Sequence, residues 1–226
     1  MASGGRDKLI KVWDLSKNGS RGRTGTTGEE NFLYDLRGHM NSIDCLDQFT
    51  SGNHIVSASL DATLMIWDLS KRKYTHILQG HTCMVTCVKV LSDQLLASGS
   101  LDKTIKIWKI DLEITSKNKN VCLRTLMGHA WPILSLEFSK ANGLLFSGSS
   151  DNTIRMWDIE SGQCVKILSG HEDDVFCLKL ISNTGQVISS SFDGCVKVWD
   201  LNTGECKRTL KTHIPVYKFV FSSFVF

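Results

Sequence analysis

Short runs in which apolar side chains alternate with polar ones follow one another along the whole chain. Over residues 163–211 they read QCVKILSGH, VFCLKLI, QVISSSFD, CVKVWDL and ECKRTLKTH. The runs are rich in Val, Ile and Leu, and Gly, Asn, Asp or Ser turns separate them. A period of two turns one face of a segment inward and the other outward, as in a half-buried strand. No segment sustains the 3.6-residue period of an amphipathic helix. The pattern predicts an all-β protein.

The runs belong to a longer repeat. Gly-His occurs at Gly38-His39, Gly80-His81, Gly128-His129 and Gly170-His171, and Thr212-His213 keeps the His alone. Successive His residues are 42, 48, 42 and 42 positions apart. Trp-Asp occurs at Trp13-Asp14, Trp67-Asp68, Trp157-Asp158 and Trp199-Asp200, with Trp108-Lys109 as the variant. Units fall at about 1–37, 38–79, 80–127, 128–169 and 170–211, with a partial one at 212–226, within a single domain spanning 1–226.

This spacing, with Gly-His opening and Trp-Asp closing each unit, resembles the WD40 family from Met1 to about Phe221. The resemblance implies a β-propeller of four-stranded blades around a central channel, with strand a innermost and strand d outermost. It further implies one hydrogen-bonded relay per blade, from the His through a strand-b Ser or Thr to the turn Asp and the strand-c Trp. The matching sets are His39, Asp61 and Trp67 with Ser57 or Ser59; His81, Asp102 and Trp108 with Ser98 or Ser100; His129, Asp151 and Trp157 with Ser147 or Ser149; and His171, Asp193 and Trp199 with Ser189 or Ser191. Residues two apart share a strand face, so both serines of each pair stay open. A buried carboxylate needs several donors, and indole and imidazole N–H groups supply them. Four near-identical copies argue for structure over catalysis, and no enzymatic fingerprint stands elsewhere.

MASGGRD aligns with LASGSLD at 96–102, so the chain opens inside a strand b. At the other end VYKFVF, 216–221, reads as a strand a. Two arrangements follow: a closed five-bladed ring in which both termini share one blade near residues 8–13, or an arc or fragment of a seven-bladed ring. Closure would remove two unpaired sheet edges.

The net charge of +3 is too small to point by itself to nucleic acid or a membrane surface. The longest apolar run falls short of a membrane-spanning helix, and MASGGRDK lacks the apolar stretch of a secretory signal. An intracellular protein, cytoplasmic or nuclear, is expected. Of eight cysteines, Cys45, Cys87 and Cys177 lie six residues after a His, and Cys122, Cys164 and Cys206 lie seven before one. These six read as small buried repeat residues, while Cys83 and Cys195 break the pattern. No disulfide, metal or other cofactor is expected.

Loops on a rigid scaffold are the usual binding elements. On the face carrying the d–a and b–c loops, here the top, Met84, Trp131, Phe192, Leu60 and Leu101 are expected to line a rim for other proteins or peptides. Glu172, Asp173 and Asp174 give it an acidic sector suited to a basic peptide. Three bottom connections carry Lys17, Arg21, Arg23, Lys71, Arg72, Lys73, Lys117 and Lys119, a basic crescent for an acidic or phosphate-bearing partner. They lack aromatic interleaving, which argues against single-stranded nucleic acid. The family resemblance implies a non-catalytic scaffold for protein–protein interaction within a multiprotein complex. Its alternatives are the substrate-recognition propeller of a ubiquitin ligase, or a truncated form of a larger WD-repeat protein.

Overall fold

The computed structural model describes residues 1–14, 31–112, 121–181, 184–212 and 214–215. The described residues hold nineteen strands and no helix. The first sheet has three strands, β1 (Ala2–Gly4), β2 (Leu9–Trp13) and β3 (Phe32–Arg37), in the places expected for strands b, c and d. Four four-stranded sheets follow. The second contains β4 (Ile43–Gln48), β5 (His54–Ser59), β6 (Thr63–Asp68) and β7 (Lys73–Gln79). The third contains β8 (Val85–Ser92), β9 (Leu95–Ser100), β10 (Ile105–Lys109) and β11 (Val121–Leu126). The fourth contains β12 (Ile133–Ser139), β13 (Leu144–Ser149), β14 (Thr153–Asp158) and β15 (Cys164–Ser169). The fifth contains β16 (Val175–Ile181), β17 (Gln186–Ser191), β18 (Cys195–Asp200) and β19 (Cys206–Lys211).

Every sheet is an antiparallel meander, and the sheets stand side by side in chain order. β4 packs on β8, β8 on β12 and β12 on β16, so the first strands of the four-stranded sheets form one inner file. Apolar cores fill the gaps between sheets. One joins Phe49, Ile66 and Leu78 to Val85, Leu96 and Trp108; another joins Phe146, Ile154 and Leu168 to Val175, Val187 and Trp199.

Two bulges recur in each four-stranded sheet. One follows the start of the inner strand, as between Ile43 and Cys45; the other precedes the Trp, as between Ile66 and Trp67. Such bulges raise the local twist and re-aim side chains. The Gly of Gly-His has a steric cause. Gly80 and Gly128 sit at φ of 156° and 152°. A Cβ there would stand 3.1 Å from the Trp108 ring and 2.8 Å from the Arg155 guanidinium.

The cysteine expectation needs correction. Only Cys87 is fully buried, and Cys122 and Cys206 are exposed, because strand d is the outer edge of its sheet. Cys45, Cys164 and Cys177 are half-buried. The proposed strand at 216–221 and His213 lie outside the described residues, as do Lys17, Arg21, Arg23, Lys117 and Lys119. Among the described residues, no helix is long and apolar enough to cross a membrane.

Candidate interaction surface

Each four-stranded sheet carries one polar relay, and its direction follows from which atoms must donate. In the second sheet the Trp67 indole N–H donates to Ser57 Oγ at 2.8 Å. Ser57 Oγ lies 2.6 Å from His39 Nε2, and His39 Nδ1 lies 2.8 Å from Asp61 Oδ2. The carboxylate only accepts, so Nδ1 carries the ring proton. The serine hydroxyl, having accepted from indole, donates to the bare Nε2. A neutral imidazole thus satisfies every member.

The same relay runs through Trp108, Ser98, His81 and Asp102, through Trp157, Ser147, His129 and Asp151, and through Trp199, Ser189, His171 and Asp193. The first sheet keeps only Trp13 donating to Ser3 Oγ at 3.0 Å. There Asp7 is exposed and pairs with Lys11.

Sequence left two serines open per blade, and both are used. Ser59, Ser100, Ser149 and Ser191 donate to a carbonyl of the d–a loop, at Asn41, Cys83, Trp131 and Asp173, and accept the amide of the turn Asp. The turn Asp then does three jobs. It accepts from the imidazole, from the amide following the His, and from the amide two residues on, which offsets a left-handed residue in the turn.

Burial pushes the Asp61 carboxyl up, but donation from Thr63, the Met40 amide and His39 outweighs it and holds the group below the usual carboxylate range. Asp102 and Asp151 follow the same balance and lie far below it. Burial pulls the His39 and His171 imidazoles down, against the opposing pull of Asp61 and Asp193. The relay serines are fully buried and the four imidazoles nearly so, so these groups cannot reach a substrate.

The relays hold the top loops in place. The Leu60 amide bonds Ser42 O, Leu101 bonds Met84 O and Phe192 bonds Asp174 O, so each b–c turn is tied to its d–a loop. Large apolar side chains stand exposed on that frame. Trp131 is 58% exposed and Phe192 44%, with Met84 just over a third exposed. The Lys103 ammonium lies 5.0 Å above the Trp131 ring, and Phe192 meets Phe176 edge-on. Leu60 and Leu101, also expected there, are half-buried. Glu172 is exposed, while Asp173 and Asp174 are half-buried.

Sequence reading did not single out Lys103 or Met127 on this face, and it left Met40, which follows a His there, out of the rim. Met40 and Met127 flank Gly-His dipeptides and are both more than 70% exposed. Their signal was a thioether at loop positions where no core demands one. On the bottom, Lys71 pairs with Asp68 at 2.8 Å and the Arg72 guanidinium lies 4.6 Å from the centre of the Tyr34 ring. Two of the three described basic crescent residues are therefore engaged within the chain.

Comparison with known proteins agrees with this geometry. The family model described as "WD domain, G-beta repeat" matches residues 30–68, 72–109, 120–158 and 162–200. Among curated relatives, Mitochondrial division protein 1 of Kluyveromyces lactis is 29% identical over 150 residues, covering 60% of this chain and 21% of that protein. Mitogen-activated protein kinase kinase kinase A of Dictyostelium discoideum is 31% identical over 170 residues, covering 60% and 17%. The DENN domain and WD repeat-containing protein SCD1 of Arabidopsis thaliana is 30% identical over 161 residues, covering 71% and 12%. The chain thus spans about a fifth or less of the length of these relatives.

Proposed function

Because the chain belongs to the WD40 repeat family, we propose that it is a non-catalytic scaffold that holds other proteins in a complex through its top face. WD40 repeats imply a protein-interaction scaffold, and the matched repeats cover most of the chain. In this reading the four His–Ser–Asp–Trp relays serve folding alone. Binding falls to Trp131, Phe192 and Met84 together with Leu60 and Leu101, with Glu172, Asp173 and Asp174 receiving a basic side chain. An intracellular setting is the compartment proposed, and eight free cysteines support it.

The observation that carries the proposal is Trp131. A side chain of that size, 58% exposed, stands on a loop anchored by the relay's Asp151, by Ser149 and by the Ser150 amide. An exposed indole on a rigid frame loses little freedom on binding and buries a large area.

The test is affinity capture from cells with the wild-type chain and with a Trp131→Ala/Phe192→Ala variant. Thermal unfolding would show that the variant stays folded. Partners held by the wild type are expected to drop about tenfold or more with the variant. Equal recovery on both baits would refute the top-face assignment.

A further inference from the structure

The inner strands carry a second repeat signal, eight residues after each His: Asp47, Lys89, Glu137 and Lys179. The signs alternate. Glu137 is buried in the middle of this file, and its two oxygens serve two neighbours. Lys89 Nζ from the third sheet lies 2.9 Å from Oε1, and Lys179 Nζ from the fifth lies 3.2 Å from Oε2. One carboxylate therefore ties three consecutive sheets together. Lys89 also feels Asp47 on its other side, and these carboxylates hold its ammonium above the ordinary lysine value despite burial.

Beside this bridge, at the bottom ends of the inner strands, lies a cavity of about 570 Å³. Lys89, Lys140 and Lys179 line it with Glu137 as their lone lining counter-ion, and Leu180 and Leu201 add apolar wall. Lys140 interacts with Asp93 outside the lining, and Lys179 shares the Glu137 carboxylate with Lys89. The Lys179 side chain is 47% exposed. An ammonium has three donors, and Glu137 takes one of those on Lys179.

We infer that this groove binds an acidic peptide segment of a partner protein, with side-chain carboxylates completing the coordination of Lys179 and Lys140. The groove is open at the surface and its lining carries three cations and one anion, with Asp47 and Asp93 acting on Lys89 and Lys140 from outside the lining. Its deepest cation, Lys89, is held in place by Glu137, and the more exposed Lys179 and Lys140 face the opening. An extended acidic segment supplies several carboxylates in a row, which matches ammonium groups spread over three sheets. The site is on the face opposite the Trp131 rim and does not depend on that rim.

The test uses the full chain and a fluorescein-labelled hexaglutamate peptide, followed by anisotropy at low ionic strength. Saturable binding is expected, weakening as salt is added. The Lys140→Ala/Lys179→Ala variant should weaken it about fivefold or more; Lys89 still holds Glu137 in that variant, and its thermal midpoint shows that it stays folded. Trp131→Ala should leave it unchanged, which separates this site from the top face. Glu137→Gln removes the competing carboxylate and is expected to tighten the peptide while lowering the thermal midpoint. Absence of saturable binding, or indifference to the double lysine variant, would overturn the proposal. So would displacement by inorganic phosphate at equal concentration of charge, which would make the groove a phosphate site.

Discussion

Thr63, Thr104 and Thr153 each donate a hydroxyl to the turn aspartate two residues earlier, at 2.6, 2.6 and 2.5 Å. Cys195 holds that place in the fifth sheet, and its sulfur points to the Asp193 carbonyl at 3.9 Å instead. The Asp193 carboxylate is left with one donor fewer than its equivalents. Cys195→Thr restores that donor at nearly constant volume and suits a strand. It is expected to stabilise the chain by about 1 kcal/mol, seen as a rise of a few degrees in the thermal midpoint. A fall would mean that the fifth turn has relaxed around sulfur. The relay also sets the response to acid. His39 and His171 are held neutral in the folded chain, below the ordinary value of about 6.5 that the unfolded chain keeps. The unfolded chain therefore binds more protons in that window, and stability is complete above about pH 6.5 and declines as pH falls through the lower folded values. A second loss begins below about pH 4, where the depressed Asp61, Asp102, Asp151 and Asp193 carboxylates are protonated more readily unfolded. Urea midpoints taken from pH 8 to pH 3 should be level near neutrality and fall in two stages. A midpoint that rises between pH 7 and pH 5.5 would contradict neutral rings.

Antiparallel pairing explains why so much of each sheet could be read from the sequence. The b–c pairing places Ser57 opposite Met65 and Ile55 opposite Trp67, so the indole reaches back one pleat to the serine. Fixed spacing between Ser and Trp therefore encodes a contact. The choice between paired serines was not encoded, because both face the relay side and the structure uses both. Small residues at Gly4, Gly99 and Gly148 were legible as repeats but not as contacts. A Cβ at Gly99 would come 2.5 Å from Ile133 Cγ2, and one at Gly148 would come 2.8 Å from Val175 Cγ1. These glycines let a β-branched side chain of the next sheet press against the backbone, and that neighbour is some 30 residues away in the chain. The alternation of Asp47, Lys89, Glu137 and Lys179 was present in the sequence too. Its members stand 42 to 48 positions apart, so they form no cluster along the chain, and only the inner file brings them together across sheets. Misreading the strand-d cysteines has the same origin, since spacing gives register along a strand and says nothing of what covers its outer edge.

Burial of a given repeat position is decided by the neighbouring sheet, and one leucine column shows this. Leu36, Leu78, Leu126 and Leu168 are 1%, 2%, 2% and 1% exposed. Each is paired across its strand with an apolar residue of strand c, namely Ile10, Leu64, Ile105 and Ile154. Leu210 holds the same register opposite Val196, yet is 58% exposed. In the fifth sheet Val196 and Val198 are also half-buried, where Ile154 and Met156 of the fourth are fully covered. Local propensity and pairing are therefore alike for Leu168 and Leu210, and among the described residues only Leu168 has a following sheet packed against it. In an array where each unit touches its neighbours, stability is a sum of unit and interface terms. Leu168→Ala removes a side chain from the gap between the fourth and fifth sheets, where it packs with Val175 and Trp199. That change is expected to cost about 2–5 kcal/mol. Leu210→Ala removes one facing solvent and should stay within about 0.5 kcal/mol. Chemical denaturation of the two variants measures the difference directly. Equal costs would show that the outer flank of the fifth sheet is covered in solution, and the leucine column would then report strand pairing alone.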